Sequence, residues 1–179
     1  MLSKIKLACF NLNYNFCPKF VMIDFKRGVM TMTTYKSIWK DIIMLGCNFH
    51  FGQCQWRAFC DYGLKNDYTN NENLRFWFRK ILALAFVPLD KIEDVYLSII
   101  DEAYEIFDEK LVKKLDSYID YFYTTWFSSG DQEAKSKYSR SEWNHFDNDG
   151  PRSNNHNEGY NGKLNSLINC PNPPIFQFI

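Results

Sequence analysis

Cys47 and His50 stand three positions apart, and Cys54 follows four positions later. A thiol and an imidazole at that spacing could seed a zinc site. A closed structural site needs four ligands, and no fourth is obvious, although His145, His156 and Cys60 are available. The plainer reading makes Cys47 and His50 a brace at a strand–helix junction. Glu158 has helical neighbours Asn154, Asn155, Asn161, Gly162 and Asn165, a polar but uncharged face on which Gly162 allows close backbone approach. The apolar stripe Tyr160, Leu164, Leu167 and Ile168 lies on the adjacent face. A lone carboxylate there suits a site better than a salt-bridged surface does; the alternative is a solvated helix residue. Asp24, read alone, is a strand-end turn residue or a helix cap. Ser153 is a good N-cap with Arg152 before it, so that helix start would favour a phosphate, or is simply a cap.

These residues need elements to hold them. Residues 19–25 (KFVMIDF) and 41–47 (DIIMLGC) are short apolar runs that predict buried strands. Residues 1–12 could form a short amphipathic helix, and 27–40 a helix weakened by threonines. Helical spacing returns over 50–62 and stops at Gly63. Three clear helices follow. One carries Leu74, Trp77, Phe78, Ile81, Leu82 and Ala85 and ends at Pro88. The next opens with Asp90 as N-cap and Glu93 three residues on, and carries Ile92, Val95, Tyr96, Ile99, Ile100, Ala103, Tyr104 and Phe107. The third starts at Asp108 and carries Leu111, Leu115, Tyr118, Ile119, Phe122 and Trp126. Their stripes are core seams of a small bundle. Residues 128–142 read as a linker or loop, and a last helix runs from about 153 to 168, before PNPP.

Composition bounds the reading. Of 179 residues, 46% are hydrophobic and 18% aromatic, which supports a sizeable core and argues against disorder. No apolar run approaches the ~20 residues that span a bilayer. The asparagine-broken N-terminus is no secretory signal, so an intracellular setting is expected. The six cysteines form no CxxC pair, and reduced, mostly buried thiols are expected. Net charge is zero but unevenly spread. Residues 1–87 carry 12 Lys/Arg against 5 Asp/Glu, and residues 88–134 carry 4 against 12. The first half is basic enough to face a polyanion.

Three segments carry a family resemblance. IDFKRG at 23–28 looks like the "DFE" strand end of Mutator-like (MULE) transposases. LGCNFHFGQCQWR at 45–57 resembles their GC-x-F-H-F-x-Q-x-x-W-R signature. GPRSNNHNEGYNGKLNSL at 150–167 resembles their R-T-N-N-x-x-E-G-x-x-x-x-L-N helix. The tail PNPPIFQFI and the ALAFVP at 83–88 are also similar to the family's.

The resemblance implies an α/β RNase H-like fold by descent, mostly α in this chain, interrupted by an all-helical insertion. Its expected division is a core remnant over 1–63, a helical insertion and loop over 64–142, and a return to the core over 143–179. It implies cut-and-paste transposition by a carboxylate triad holding Mg2+ or Mn2+, two metals activating a water or 3′-hydroxyl. Asp24 stands where the second aspartate belongs and Glu158 where the final glutamate belongs, both as metal ligands. The first aspartate belongs on a strand before Met1, and residues 1–18 contain no Asp or Glu. Lys26 replaces the usual glutamate after Asp-Phe. The expectation is therefore a truncated, catalytically inactive relative that binds no metal productively. The rivals are the C-terminal piece of an active transposase and a domesticated DNA- or protein-interaction domain. Arg152, Asn154, Asn155 and Lys163 are the DNA-contact candidates. Weak, non-specific DNA binding, possible self-association, no membrane association and a nuclear location are the implied partners and setting. The acidic block over 88–134 would point away from a duplex. The sharpest structural expectation is that Asp24 and Glu158, 134 positions apart, lie close together. Carboxylates on different surfaces would contradict it.

Overall fold

The computed structural model describes residues 2–25, 32–128 and 136–168. The expectations for Lys26, Cys170 and the PNPPIFQFI tail lie outside the described residues. The chain is mostly helical, with one small parallel sheet among the described residues. The elements in order are α1 (Leu2–Asn11), β1 (Phe20–Ile23), α2 (Met32–Ile38), β2 (Ile43–Gly46), α3 (Asn48–Asp61), α4 (Lys65–Asn70), α5 (Glu72–Ala83), α6 (Ile92–Ile106), α7 (Glu109–Phe122), α8 (Arg140–Trp143) and α9 (Asn155–Ile168). A 3-10 turn, Leu84–Phe86, follows α5, and a π turn, Tyr123–Phe127, follows α7.

β1 and β2 pair in parallel, with Phe20 opposite Ile43 and Ile23 opposite Gly46. A parallel pair requires a crossover of a dozen or more residues, and the one here carries α2. Both strands therefore end on the same side. Asp24 follows β1 directly, and Cys47 joins β2 to α3. In open α/β sheets, sites gather outside the carboxyl ends of strands for this reason.

The helices form where the apolar spacing demands. Asp108 caps α7 by accepting from the Leu111 N–H at 2.8 Å, and Asn71 caps α5 through the Leu74 N–H. Gly63, at φ +74°, stops α3. Asp90 does not cap α6. The chain turns first, with the Lys91 N–H donating to the Pro88 carbonyl, and the helix starts at Ile92. Glu93 then pairs with Arg140 at 3.2 Å. Cysteine burial also differs from expectation: of the five described thiols only Cys47 is buried, and Cys17 is exposed. No described helix is long and apolar enough to cross a membrane.

One aromatic-rich core runs from Phe51 and Phe59 of α3 through Trp77, Ile92, Leu115, Tyr118 and Trp126 to Trp143. A smaller cluster of Tyr35, Trp39, Ile42 and Met44 packs beneath the strands, with Val21 and Ile23 against it. Phe25 connects the first core to the strand end. Its ring meets Trp126 and Tyr138 edge-on at 4.8 and 5.0 Å. The Tyr138 hydroxyl donates to the Phe25 carbonyl at 2.6 Å. The tip of the ring also abuts Gly46, where an added Cβ would clash with its Cζ. Gly46→Ala is therefore expected to cost about 1–3 kcal/mol through overpacking, measurable as a lower urea midpoint. An unchanged midpoint would mean that Phe25 is not seated there.

His145 fastens the returning chain to the same strand end. It is fully buried, its N–H donates to the Ala85 carbonyl, and its ring Nε2 lies 2.8 Å from the Gly46 carbonyl oxygen. Nε2 must carry the proton to donate there, which leaves Nδ1 to accept from the Asn148 amide at 3.1 Å. Burial pushes the ring's pKa below its ordinary 6.5; the Gly46 bond opposes that and Arg152 adds to it. Unfolding thus takes up a proton, so stability is full above pH 6.5 and falls as pH drops toward the lowered folded value. Urea midpoints at neutral and mildly acidic pH are expected to differ in wild type and to converge in His145→Gln. An equal acid loss in the variant would assign it to other groups.

Candidate metal centre

The β2–α3 junction leaves three backbone groups to satisfy, and each finds a distant partner. The Cys47 N–H donates to the Ile23 carbonyl, and the Asn48 N–H to the Arg152 carbonyl. The Gly46 carbonyl accepts a hydrogen bond from the His145 ring Nε2–H. The chain just before α9 is thereby fixed against the start of α3. As a result Glu158, in the first turn of α9, faces Asp24 at the end of β1.

His50 lies between the two carboxylates. Its Nδ1 is 3.0 Å from Asp24 Oδ1, and its Nε2 is 3.5 Å from Glu158 Oε1. One ligand atom from each of the three side chains falls within 4.8 Å of the others. The Nδ1–Asp24 approach is within ion-pair reach but is not aligned as a hydrogen bond. Nδ1 is a buried atom with no hydrogen-bond partner. Asp24 and His50 are half-buried, whereas Glu158 is 48% exposed, so the group opens to solvent on its α9 side. On the other side of Asp24 a cleft of about 70 Å3, lined by Phe25, Met44, Tyr138 and Glu142, is too small for a nucleotide.

Asn154 holds this arrangement with all its polar groups. Its side-chain NH2 donates to Asp24 Oδ1 at 2.9 Å, and its side-chain oxygen accepts from the Cys47 thiol at 3.1 Å. Its backbone N–H donates to the Cys47 sulfur at 3.4 Å, and its carbonyl accepts from the Glu158 N–H at 3.1 Å. That last bond makes Asn154, rather than Ser153, the N-cap of α9, since the cap carbonyl takes the first intrahelical bond.

The sequence-derived residues thus divide. Asp24 and Glu158 come together. His50 joins them instead of bracing the core, while Cys47 does brace the junction and is itself the partner of Asn154. The thiols stay out of the ligand group among the described residues. Burial raises the Cys54 thiol above its ordinary 9.0, with Arg57 and Lys137 opposing, so it is not a ready thiolate. Cys60 is raised likewise by burial, with Lys65 opposing. His145 is committed to Gly46. Of the four DNA-contact candidates, Arg152, Asn155 and Lys163 are exposed, and the Arg152 guanidinium sits 5.2 Å over the Phe86 ring. Asn154 has no free polar group for DNA. Tyr160 of the expected apolar stripe is 63% exposed. Comparisons with protein-family models, with curated proteins and with solved structures give no match.

The Asp24–His50–Glu158 group can hold a divalent cation. It offers two carboxylate oxygens, an orphaned imidazole nitrogen and a hydrogen-bonded carboxylate, the usual outer support of a metal ligand. Asn154→Ala should lower stability by about 1–3 kcal/mol, because it leaves buried partners unsatisfied. Asn155→Ala, one residue on and exposed, should change it by less than about 0.5 kcal/mol. Equal effects in chemical denaturation would remove Asn154 from this role.

Proposed function

We propose that this chain is a Mutator-like transposase relative of RNase H-like descent, carrying two carboxylate positions of the catalytic core. It binds a divalent cation and associates weakly with DNA, but does not itself cut or join strands. The observation that carries this reading is the convergence of Asp24 and Glu158 on His50 from positions 134 residues apart. The motif order supports it, as does the parallel strand pair with Asp24 directly after β1.

Asp24, Glu158 and His50 would hold the ion, and Asn154 orients the Asp24 carboxylate toward it. When bound, the ion supplies Lewis-acid polarisation of a phosphoryl oxygen. The open side at Glu158 admits a phosphodiester from solvent, and exposed Arg152 and Lys163 supply positive charge. Among the described residues, two carboxylates join the group. The two-metal clamp that splits a phosphodiester draws on a larger acidic set, so binding without cleavage is the expected behaviour.

The test uses supercoiled plasmid and oligonucleotide duplexes with Mg2+ or Mn2+. No nicking or strand transfer is expected. Metal-dependent cleavage abolished by Glu158→Gln would instead make the chain an active nuclease. Fluorescence anisotropy with two unrelated duplexes should give weak, similar affinities whose logarithm falls linearly with log salt. Tight, salt-insensitive binding to one duplex would require base readout that this reading does not include.

A further inference from the structure

The proposed metal centre leaves open which ion it takes, and the chemistry of its three ligands bears on that choice. We infer that the Asp24–His50–Glu158 centre selects a divalent transition ion, such as Mn2+, Co2+ or Zn2+, over Mg2+, with an imidazole nitrogen of His50 as a direct ligand. This rests on the reading of the group as a metal centre.

The geometry puts nitrogen inside the ligand set. Ligands about 2.0–2.2 Å from one ion stand roughly 3–3.5 Å apart, and His50 Nδ1 is 3.0 Å from Asp24 Oδ1. Nδ1 is also the ring nitrogen left without a hydrogen-bond partner, although it is buried. A buried imidazole nitrogen normally finds a donor or acceptor, and a missing partner in such a place needs an explanation. An ion between Nδ1 and the Asp24 oxygen supplies one. The hydrogen bond from Asn154 fixes the Asp24 oxygen on the side facing His50.

Ligand chemistry then ranks the ions. Mg2+ demands near-ideal octahedral oxygen coordination and gives up its waters reluctantly, so a centre that inserts a nitrogen early in its ligand set suits it poorly. Imidazole suits zinc, iron, nickel and copper, and affinities of nitrogen-bearing sites rise along the first-row series from Mn2+. The two carboxylates keep harder Mn2+ within range. Three protein ligands leave positions open, unlike the four that close a structural zinc site. The Cys47 thiol is occupied with Asn154, so it does not compete as a softer ligand.

The test measures binding of Mg2+, Mn2+, Co2+ and Zn2+ to the full chain by calorimetry, together with pulsed EPR of the Mn2+ complex. Mn2+ and Co2+ should bind at least about tenfold more tightly than Mg2+, in the order of the first-row series. The Mn2+ spectrum should show coupling to a directly bound imidazole nitrogen. His50→Gln should remove that coupling and bring the Mn2+ and Mg2+ affinities together. His50→Asp should favour Mg2+ relative to wild type. The wild-type spectrum alone decides the point if the variants fail to fold. Equal Mg2+ and Mn2+ affinities, or bound Mn2+ without nitrogen coupling, would overturn the selectivity and leave the metal centre standing. Failure of every ion to bind would overturn the metal centre itself.

Discussion

The junction between β2 and α3 is the constraint on which the molecule turns. Three consecutive residues, Gly46 to Asn48, carry backbone groups that the following helix does not satisfy. Buried groups of this kind must be paired. Their partners come from β1 and from the segment between α8 and α9, about a hundred residues later. The helical block between them is therefore not free to return anywhere. Its last residues must present a buried histidine, a carbonyl and an asparagine to one spot. The Asp24–His50–Glu158 cluster is a consequence: Asp24 leaves β1 beside that spot, His50 rises one turn into α3, and α9 begins there with Glu158 in its first turn.

The aromatic core enforces the same geometry from behind. Phe51, next to His50, stacks on Trp143 with ring centroids 5.0 Å apart, and Phe25, next to Asp24, meets Trp126 and Tyr138. Asp24 and His50 are thus each followed by a ring gripped by the helical block. Close packing of this kind leaves the side chains few voids to move into. A change in the helical block, such as loss of the Tyr138 hydroxyl bond to Phe25, reaches the site through one residue. The small sheet packs on its own cluster and the helical block on the larger core, which Phe25 ties to the strand end, so the Asp24–His50–Glu158 group is held from both sides.

The elements that carry apolar stripes or runs were legible in the sequence. α3, α5, α6 and α7, the two strands and Gly63 as a stop all follow from local pattern. α4 was not, because Lys65–Asn70 is a short polar helix without a stripe. α8, Arg140–Trp143, begins inside the 128–142 segment that composition marks as a loop. The start of α6 moved by one residue, from Asp90 to Lys91 as the cap, because Pro88 builds a turn that displaces Asp90. For the site, the resemblance pointed to Asp24 and Glu158, and the structure brings them together. The part played by His50 and Asn154 was not readable. His50 has Cys47 and Cys54 as sequence neighbours, which suggests a thiol site, and only the long-range return of α9 turns its ring into a carboxylate environment. Asn154 looks like one of several asparagines near a helix start. Its four polar contacts exist only because Cys47 and Asp24 arrive from elsewhere in the chain.

The claim that these distant residues form one ion-binding centre is tested most directly by amide NMR of the full chain under substoichiometric Mn2+. A paramagnetic ion broadens nearby resonances according to distance. Selective loss of signals from residues 23–25, 47–51 and 154–159, with the acidic stretch of α6 and α7 unaffected, is the predicted pattern. Uniform broadening, or broadening confined to the acidic helices, would contradict the account.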